Sequence, residues 1–219
     1  MIGETNPPVR KQTKGERTRA RLLAAAELQF AELGYHDASV VRITEAAGVG
    51  QGTFYLYFSS KLEVFDEVVE DLNRRVRHAM IEASSAAPNR IEAERAGFAA
   101  FFRFTAEHPA LYRIVRQAEF VSPGALRMHY TRIVEGYQEG LARAQAAGEI
   151  GDIDPEVAAW ALMGIGEIIG MRWVLWGPDV SPGGPTSKVP QEVFDQAMTF
   201  IERALAPESR RGTQGEQTR

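Results

Sequence analysis

The stretch from Val157 to Trp176 is apolar nearly all round, and a helix of that kind must be covered on every side. Its length approaches that of a membrane span. It also holds Glu167 and Arg172, each costing about 2.5–3.5 kcal/mol near a bilayer centre. The expectation is a buried helix with no membrane partner, one side facing its own domain and another free to face a partner subunit.

The remaining signals are helical too. Thr13 and Glu16 have capping-box spacing, and Leu22, Leu23, Ala26, Phe30 and Leu33 follow at helical intervals up to Gly34. Ser39 caps a short helix through Ile43 and Ala47 that Gly48 stops. A third short helix is expected from about Gly50 to Tyr57. Ser60 and Glu63 form a second capping box that opens a long helix to about Ser85. The run 86–89 (AAPN) breaks the pattern. A Phe-rich helix then spans roughly Ile91 to Glu107, and Pro109 suits the first turn of the next. Ser122-Pro123 starts another helix, which ends near Gly148. Asp154-Pro155, a capping residue before a first-turn proline, opens the apolar helix. Residues 177–190 read as a Pro/Gly loop and a last helix runs from Gln191 to Ala206. The predicted class is all-α, with about nine helices and no strand.

Composition adds two constraints. There are no cysteines, so disulfides, thiolate zinc sites and cysteine nucleophiles are excluded. The net charge of −4 is unevenly spread: residues 1–61 carry +2 and residues 62–219 carry −6. A basic arm on an acidic body points to a polyanion at one end only. Residues 1–21 hold no apolar run, so no secretory leader is expected and the cytoplasm is the expected compartment.

The functional signal lies in residues 39–61 (SVVRITEAAGVGQGTFYLYFSSK). Two short helices flank a Gly48-Val49 turn, and small alanines let them approach closely. This is a helix-turn-helix pattern, whose second helix can enter the major groove of DNA. That second helix carries Gly50, Gly52 and Thr53, all poor helix formers. Small residues there suit close approach to a DNA backbone. Tyrosine hydroxyls and first-turn N–H groups suit phosphates. Gln51 is chemically able to read adenine, or it is simply solvent-exposed. Tyr55 either contacts DNA or packs under the first helix.

Residues 17–66 resemble the DNA-binding domain of the tetracycline-repressor (TetR) family of bacterial regulators. The match rests on Ala24-Ala25, Phe30-Ala31, Gly34-Tyr35, Ile43, Ala46-Ala47-Gly48-Val49, Gly52-Thr53-Phe54-Tyr55, Tyr57-Phe58, Lys61 and Phe65. The resemblance implies an all-helical homodimer that binds double-stranded operator DNA. Each subunit would carry a basic arm (1–15), a three-helix DNA-binding domain (16–61), an effector-binding and dimerisation domain (62–206) and a disordered tail (207–219). It implies base contacts from Gln51, Gly52 and Thr53, and phosphate contacts from Tyr55, Tyr57 and Lys61. Thr18 and Arg42 are further phosphate candidates. Thr44 stands where the family usually has Ala, and its hydroxyl would face a phosphate or bond back to its own helix.

The resemblance also implies a small-molecule effector among the middle helices. The candidates are Phe98, Phe101, Phe102, Tyr112, Val115, Phe120, Met128, Tyr130, Ile133, Met163, Glu167, Met171, Arg172 and Trp173. One of Glu167 and Arg172 is expected to meet the effector's polar end. A lipid or acyl-CoA fits this set, and so does an aromatic drug-like molecule. The last two long helices are implied as the dimer interface, with Gly166 and Gly170 permitting close helix approach. Val193, Phe194, Ala197, Met198, Ile201 and Leu205 form the stripe on the final helix.

No catalytic chemistry stands out. The histidines His36, His78, His108 and His129 show no metal-ligand spacing. No nucleophile elbow is present, and Gly48-x-Gly50-x-Gly52 follows no strand as a nucleotide loop would. No cofactor or metal is expected. The reading is a repressor released from a near-palindromic operator by its effector, with half-sites about 34–36 Å apart or slightly more. An activator of the same family, or an enzyme or carrier on this fold, is the alternative.

Overall fold

The computed structural model describes residues 13–176 and 188–207. Most of the expected basic arm, most of the Pro/Gly loop and nearly all of the tail lie outside them. The described residues form nine α-helices and one π-helical segment, with no strand. Contacts divide the chain into two units, one ending at Val68 and the other beginning at Val69.

In the first unit, α1 spans Lys14–Asp37. Its capping box is complete: Glu16 N–H donates to Thr13 Oγ1 at 3.1 Å, and Thr13 N–H to the Glu16 carboxylate at 2.7 Å. Leu22, Ala25, Ala26 and Phe30 form the buried face. Gly34 (φ 80°, ψ 165°) breaks the helix without ending it, because a further turn runs on to Asp37. Helix α2 spans Val40–Ala47, capped by Ser39 and closed by Gly48 at φ 63°, where a left-handed residue ends a helix most easily. Helix α3, Gln51–Phe54, is shorter than expected, in keeping with its two glycines. Helix α4 spans Lys61–Ser84. Its first turns add Val64, Phe65 and Val68 to the core. The Phe30, Tyr35 and Phe65 rings meet there with centroids 5.2–5.8 Å apart. A buried side chain of that size stabilises by about 1.5–3 kcal/mol.

In the second unit, α4 continues with Leu72 and Val76 buried. Then follow α5 (Arg90–Glu107), α6 (Ala110–Val121), α7 (Pro123–Ala146), α8 (Pro155–Gly170) and α9 (Gln191–Leu205). The starts follow the sequence signals: Asn89 accepts from Glu92 N–H at 3.0 Å, and Asp154 accepts from Glu156 and Val157 N–H at 2.9 and 3.0 Å. The core joins Phe98 and Phe102 of α5, Val134 and Leu141 of α7, Leu162 of α8, and Met198, Ile201 and Leu205 of α9.

One expectation about α8 is corrected. It does not reach Trp176 as an α-helix, because Met171–Leu175 is π-helical. Its own chain covers it only in part: Val157, Trp160 and Ile168 are 62%, 43% and 59% exposed, at helical spacing on one face. Phe200 of α9 is likewise 63% exposed. Gly166 and Gly170 serve contacts within the chain. A Cβ at Gly166 would press on the Phe98 ring at 3.2 Å, and one at Gly170 would collide with the Tyr112 hydroxyl.

Candidate DNA-binding face and effector cavity

The helix-turn-helix is held from beneath. Ile43, Ala47, Phe54 and Phe58 are buried, and Arg21 donates to the Ala47 carbonyl at the turn. What remains outside is Arg42, Gln51, Gly52 and Tyr55, all exposed, with Thr18, Thr53 and Tyr57 half-buried. Tyr55 sets its ring edge-on to Phe54 at 5.3 Å but is not packed away beneath α1. A Cβ added at Gly52 would meet no atom within 4 Å.

Two candidates leave this face. Thr44 is buried, and its hydroxyl donates to the Val41 carbonyl at 2.9 Å; it cannot meet a phosphate. Lys61 directs its ammonium to the carbonyls of Tyr35 (2.7 Å) and Ala38 (2.8 Å), 4.3 Å from the Tyr35 ring centroid. It ties down the end of α1, where a cation complements the free carbonyls. Lys61→Met is therefore expected to lower stability by about 1–2 kcal/mol in urea denaturation. The salt slope of DNA affinity, which counts phosphate contacts, should not change.

The second unit encloses a cavity of about 40 Å³ between α4, α5, α6, α7 and α8. Sites for drug-sized ligands run to about 300–1,000 Å³, so this one is too small for such a ligand unless its walls move. Eight of the fourteen sequence candidates line it: Phe98, Phe101, Tyr112, Val115, Tyr130, Ile133, Met163 and Glu167. The other six do not. Phe120 is 83% exposed on α6. Phe102 packs into the core, and Met128 lies half-buried off the cavity. Met171 joins a small cluster with Tyr112 and Val174. Arg172 and Trp173 are turned together by the π-helical segment, the guanidinium 5.2 Å from the indole centroid.

Sequence reasoning missed Met80, Leu111, Tyr137, Leu162 and Gly166, and left His129 open between core and cavity. The period was there to read for Tyr137, which continues the α7 stripe of Tyr130 and Ile133 at helical spacing. Met80 follows Asn73 and Val76 on α4 in the same way.

The polar groups are few. Tyr130 donates its hydroxyl proton to the Glu167 carboxylate at 2.7 Å. Burial and that bond push its phenol well above the ordinary range. Tyr112 is raised too, by burial first, with a bond to Thr105 opposing that shift. Asn73 donates to the His129 carbonyl at 2.9 Å and approaches Nδ1 at 3.2 Å. Burial lowers His129 from 6.5 to about 4. The unfolded chain therefore takes up a proton below pH 6.5 that the folded chain refuses until about pH 4. Stability carried by this group is full above pH 6.5 and is lost as pH falls towards 4. By pH 5 the loss should reach about 2 kcal/mol, and His129→Gln should flatten that part of a denaturation-against-pH curve.

Residues 22–68 match the family model described as bacterial regulatory proteins, tetR family. The HTH-type transcriptional regulator YdgC of Bacillus subtilis is 47% identical over 66 residues, 30% of this chain and 34% of that one. The HTH-type transcriptional activator FasR of Mycolicibacterium smegmatis is 35% identical over 108 residues, 48% of each chain. This chain thus spans a third to a half of the length of these relatives. The solved structure of the fatty acid degradation regulator FadR from Bacillus halodurans superposes with a TM-score of 0.72 at 21% identity, covering 88% of this chain and 96% of that one.

Proposed function

Because this chain belongs to the TetR family of bacterial transcriptional regulators, we propose that it is an effector-responsive repressor. It binds a near-palindromic operator as a homodimer in the cytoplasm and leaves it when a small apolar or amphipathic molecule enters the cavity of the second unit. The observation that carries the reading is the exposed row of Gln51, Gly52 and Tyr55 on a helix-turn-helix whose own packing does not use them. Arg42, Thr18, Thr53 and Tyr57 complete the proposed DNA contacts, some to bases and most to phosphates.

Helix α4 supplies the coupling in this reading. It begins in the first unit, and its Met80 lines the cavity of the second. An effector that needs a larger cavity favours a different setting of α4. It shifts the protein off DNA to the extent that it binds that state better. The apolar walls support either a lipid-like or an aromatic effector, and FadR's description as a fatty acid degradation regulator supports the first. FasR is an activator, which supports a second reading with the opposite direction of control.

Selection of bound genomic fragments tests the proposal, with Gln51→Ala/Tyr55→Ala as control. The expected result is a short inverted repeat, absent from the control. No enrichment over the control in low salt would sink the DNA-binding reading. Transcription from the recovered promoter, with and without the protein, separates repressor from activator.

A further inference from the structure

We propose that the corner formed by Glu167, Tyr130 and Tyr112 receives the protonated amine end of an otherwise apolar effector, and that it turns away free carboxylates. The inference rests on the effector-responsive reading above and names the ligand class for that cavity.

Charge is the first ground. Of the described residues that line the cavity, Glu167 alone carries a formal charge, and no Lys or Arg is among them. His129 is neutral at pH 7, since burial holds it near 4. Arg116 lies close enough to influence Tyr130, yet its guanidinium is turned to Met171 Sδ at 3.1 Å and does not line the cavity. A carboxylate brought into this space would sit against another carboxylate with little water to screen them.

The arrangement of oxygens is the second. Tyr130 holds one oxygen of Glu167 at 2.7 Å, and no donor among the described residues holds the other. The buried Tyr112 hydroxyl has Thr105 as its neighbour. It occupies the space left by the missing side chain of Gly170, one turn beyond Glu167. A ligand that donates would satisfy the open oxygen of Glu167. An ammonium offers three donors, an alcohol one and a carboxylate none. Phe101, Tyr112 and Tyr130 line the same space, and aromatic rings attract a cation placed over them.

The third ground is the route in. Met80, Ile133 and Tyr137 line both the cavity and an open groove of about 510 Å³. The groove's three arginines are balanced by three glutamates, so the mouth does not select by net charge. From Tyr137 to Tyr130, α7 rises about 10 Å. The polar end would enter first and the apolar body would lie along α7. Met80 and Met163 are flexible enough to yield the volume that the closed cavity lacks.

Calorimetry at pH 7 on the full chain tests this with three matched probes: 4-phenylbutylamine, 4-phenylbutanol and 4-phenylbutyrate. The amine should bind at least tenfold tighter than the alcohol, and the butyrate weakest. Glu167→Gln should bring amine and alcohol within about twofold of each other, with the alcohol's own affinity as the folding control. Butyrate binding as tightly as the amine, an amine preference surviving in Glu167→Gln, or no binding of any probe would each overturn the proposal. DNA binding of the unaltered chain, measured alongside, separates the two layers. If DNA binds and the ligand pattern fails, only the ligand class falls. If DNA does not bind, the regulator reading falls first.

Discussion

A chain carrying both Trp160→Glu and Phe200→Glu is expected to sediment as a monomer and to lose operator affinity by about a hundredfold or more. The two side chains are 43% and 63% exposed, on α8 and α9. Val157 and Ile168 extend the open face of α8. A stable interface buries about 1,200–2,000 Å², and its strength is concentrated in a few large apolar or aromatic anchors near its centre. Two glutamates per subunit would bring like charges together where those anchors should pack. The effect on DNA follows from avidity. One dimer holding two half-sites makes the second contact intramolecular, a gain of about 10²–10⁴. A monomer forfeits it. Neither residue belongs to the core of its unit, so helix content by circular dichroism should persist. A double variant that still sediments as a dimer, or a monomer that keeps full affinity, would refute the assignment.

The same helix shows where sequence reading stops. Its start was explicit, because Asp154 and Pro155 fix a first turn through local bonds alone. Its apolar circumference was equally plain, but periodicity cannot say which neighbour covers which side. Within the chain, α5 and α7 cover part of it and leave Val157, Trp160 and Ile168 open. The glycine pair was visible as a spacing of four, yet only the tertiary packing shows the Phe98 ring and the Tyr112 hydroxyl closing on it. The π-helical segment at Met171 had no local signal in the sequence. It also decides the fate of Arg172 and Trp173, which an unbroken α-helix would have aimed elsewhere.

For the site, the residues tied to local geometry were the readable ones. Gln51, Gly52 and Tyr55 stay exposed because Phe54 and Phe58 between and beyond them fill the core. The phosphate readings of Lys61 and Thr44 meet a common obstacle, and for Thr44 the alternative, a bond back to its own helix, is the one observed. Both carry polar groups that suit a phosphate, and both are satisfied by carbonyls, one on a segment more than twenty residues away. A sequence shows the donor and hides the nearer acceptor. Cavity prediction failed where helix rotation mattered: Phe101 lines the cavity while its neighbour Phe102 belongs to the core.

Gly52→Leu should separate folding from function more sharply than any other change. Glycine inside a helix costs about 1 kcal/mol against a good helix former, and a Cβ at this position meets nothing within 4 Å. The variant should therefore fold with an unchanged or slightly raised melting temperature. If the open space at Gly52 is where the DNA lies, a leucine side chain must displace a base edge or a phosphate. Operator affinity should then fall by about a hundredfold, or about 2.7 kcal/mol, with Gly52→Ala intermediate. Gly50 supplies the control, since it too has open space around it but precedes the helix as its cap. Gly50→Ala should cost stability at the cap, by up to about 1 kcal/mol, without the same loss of binding. A Gly52→Leu chain that binds its operator like the unaltered protein would show that α3 does not approach the DNA at this point. The groove contacts would then have to be sought elsewhere on the exposed face, at Gln51 and Tyr55.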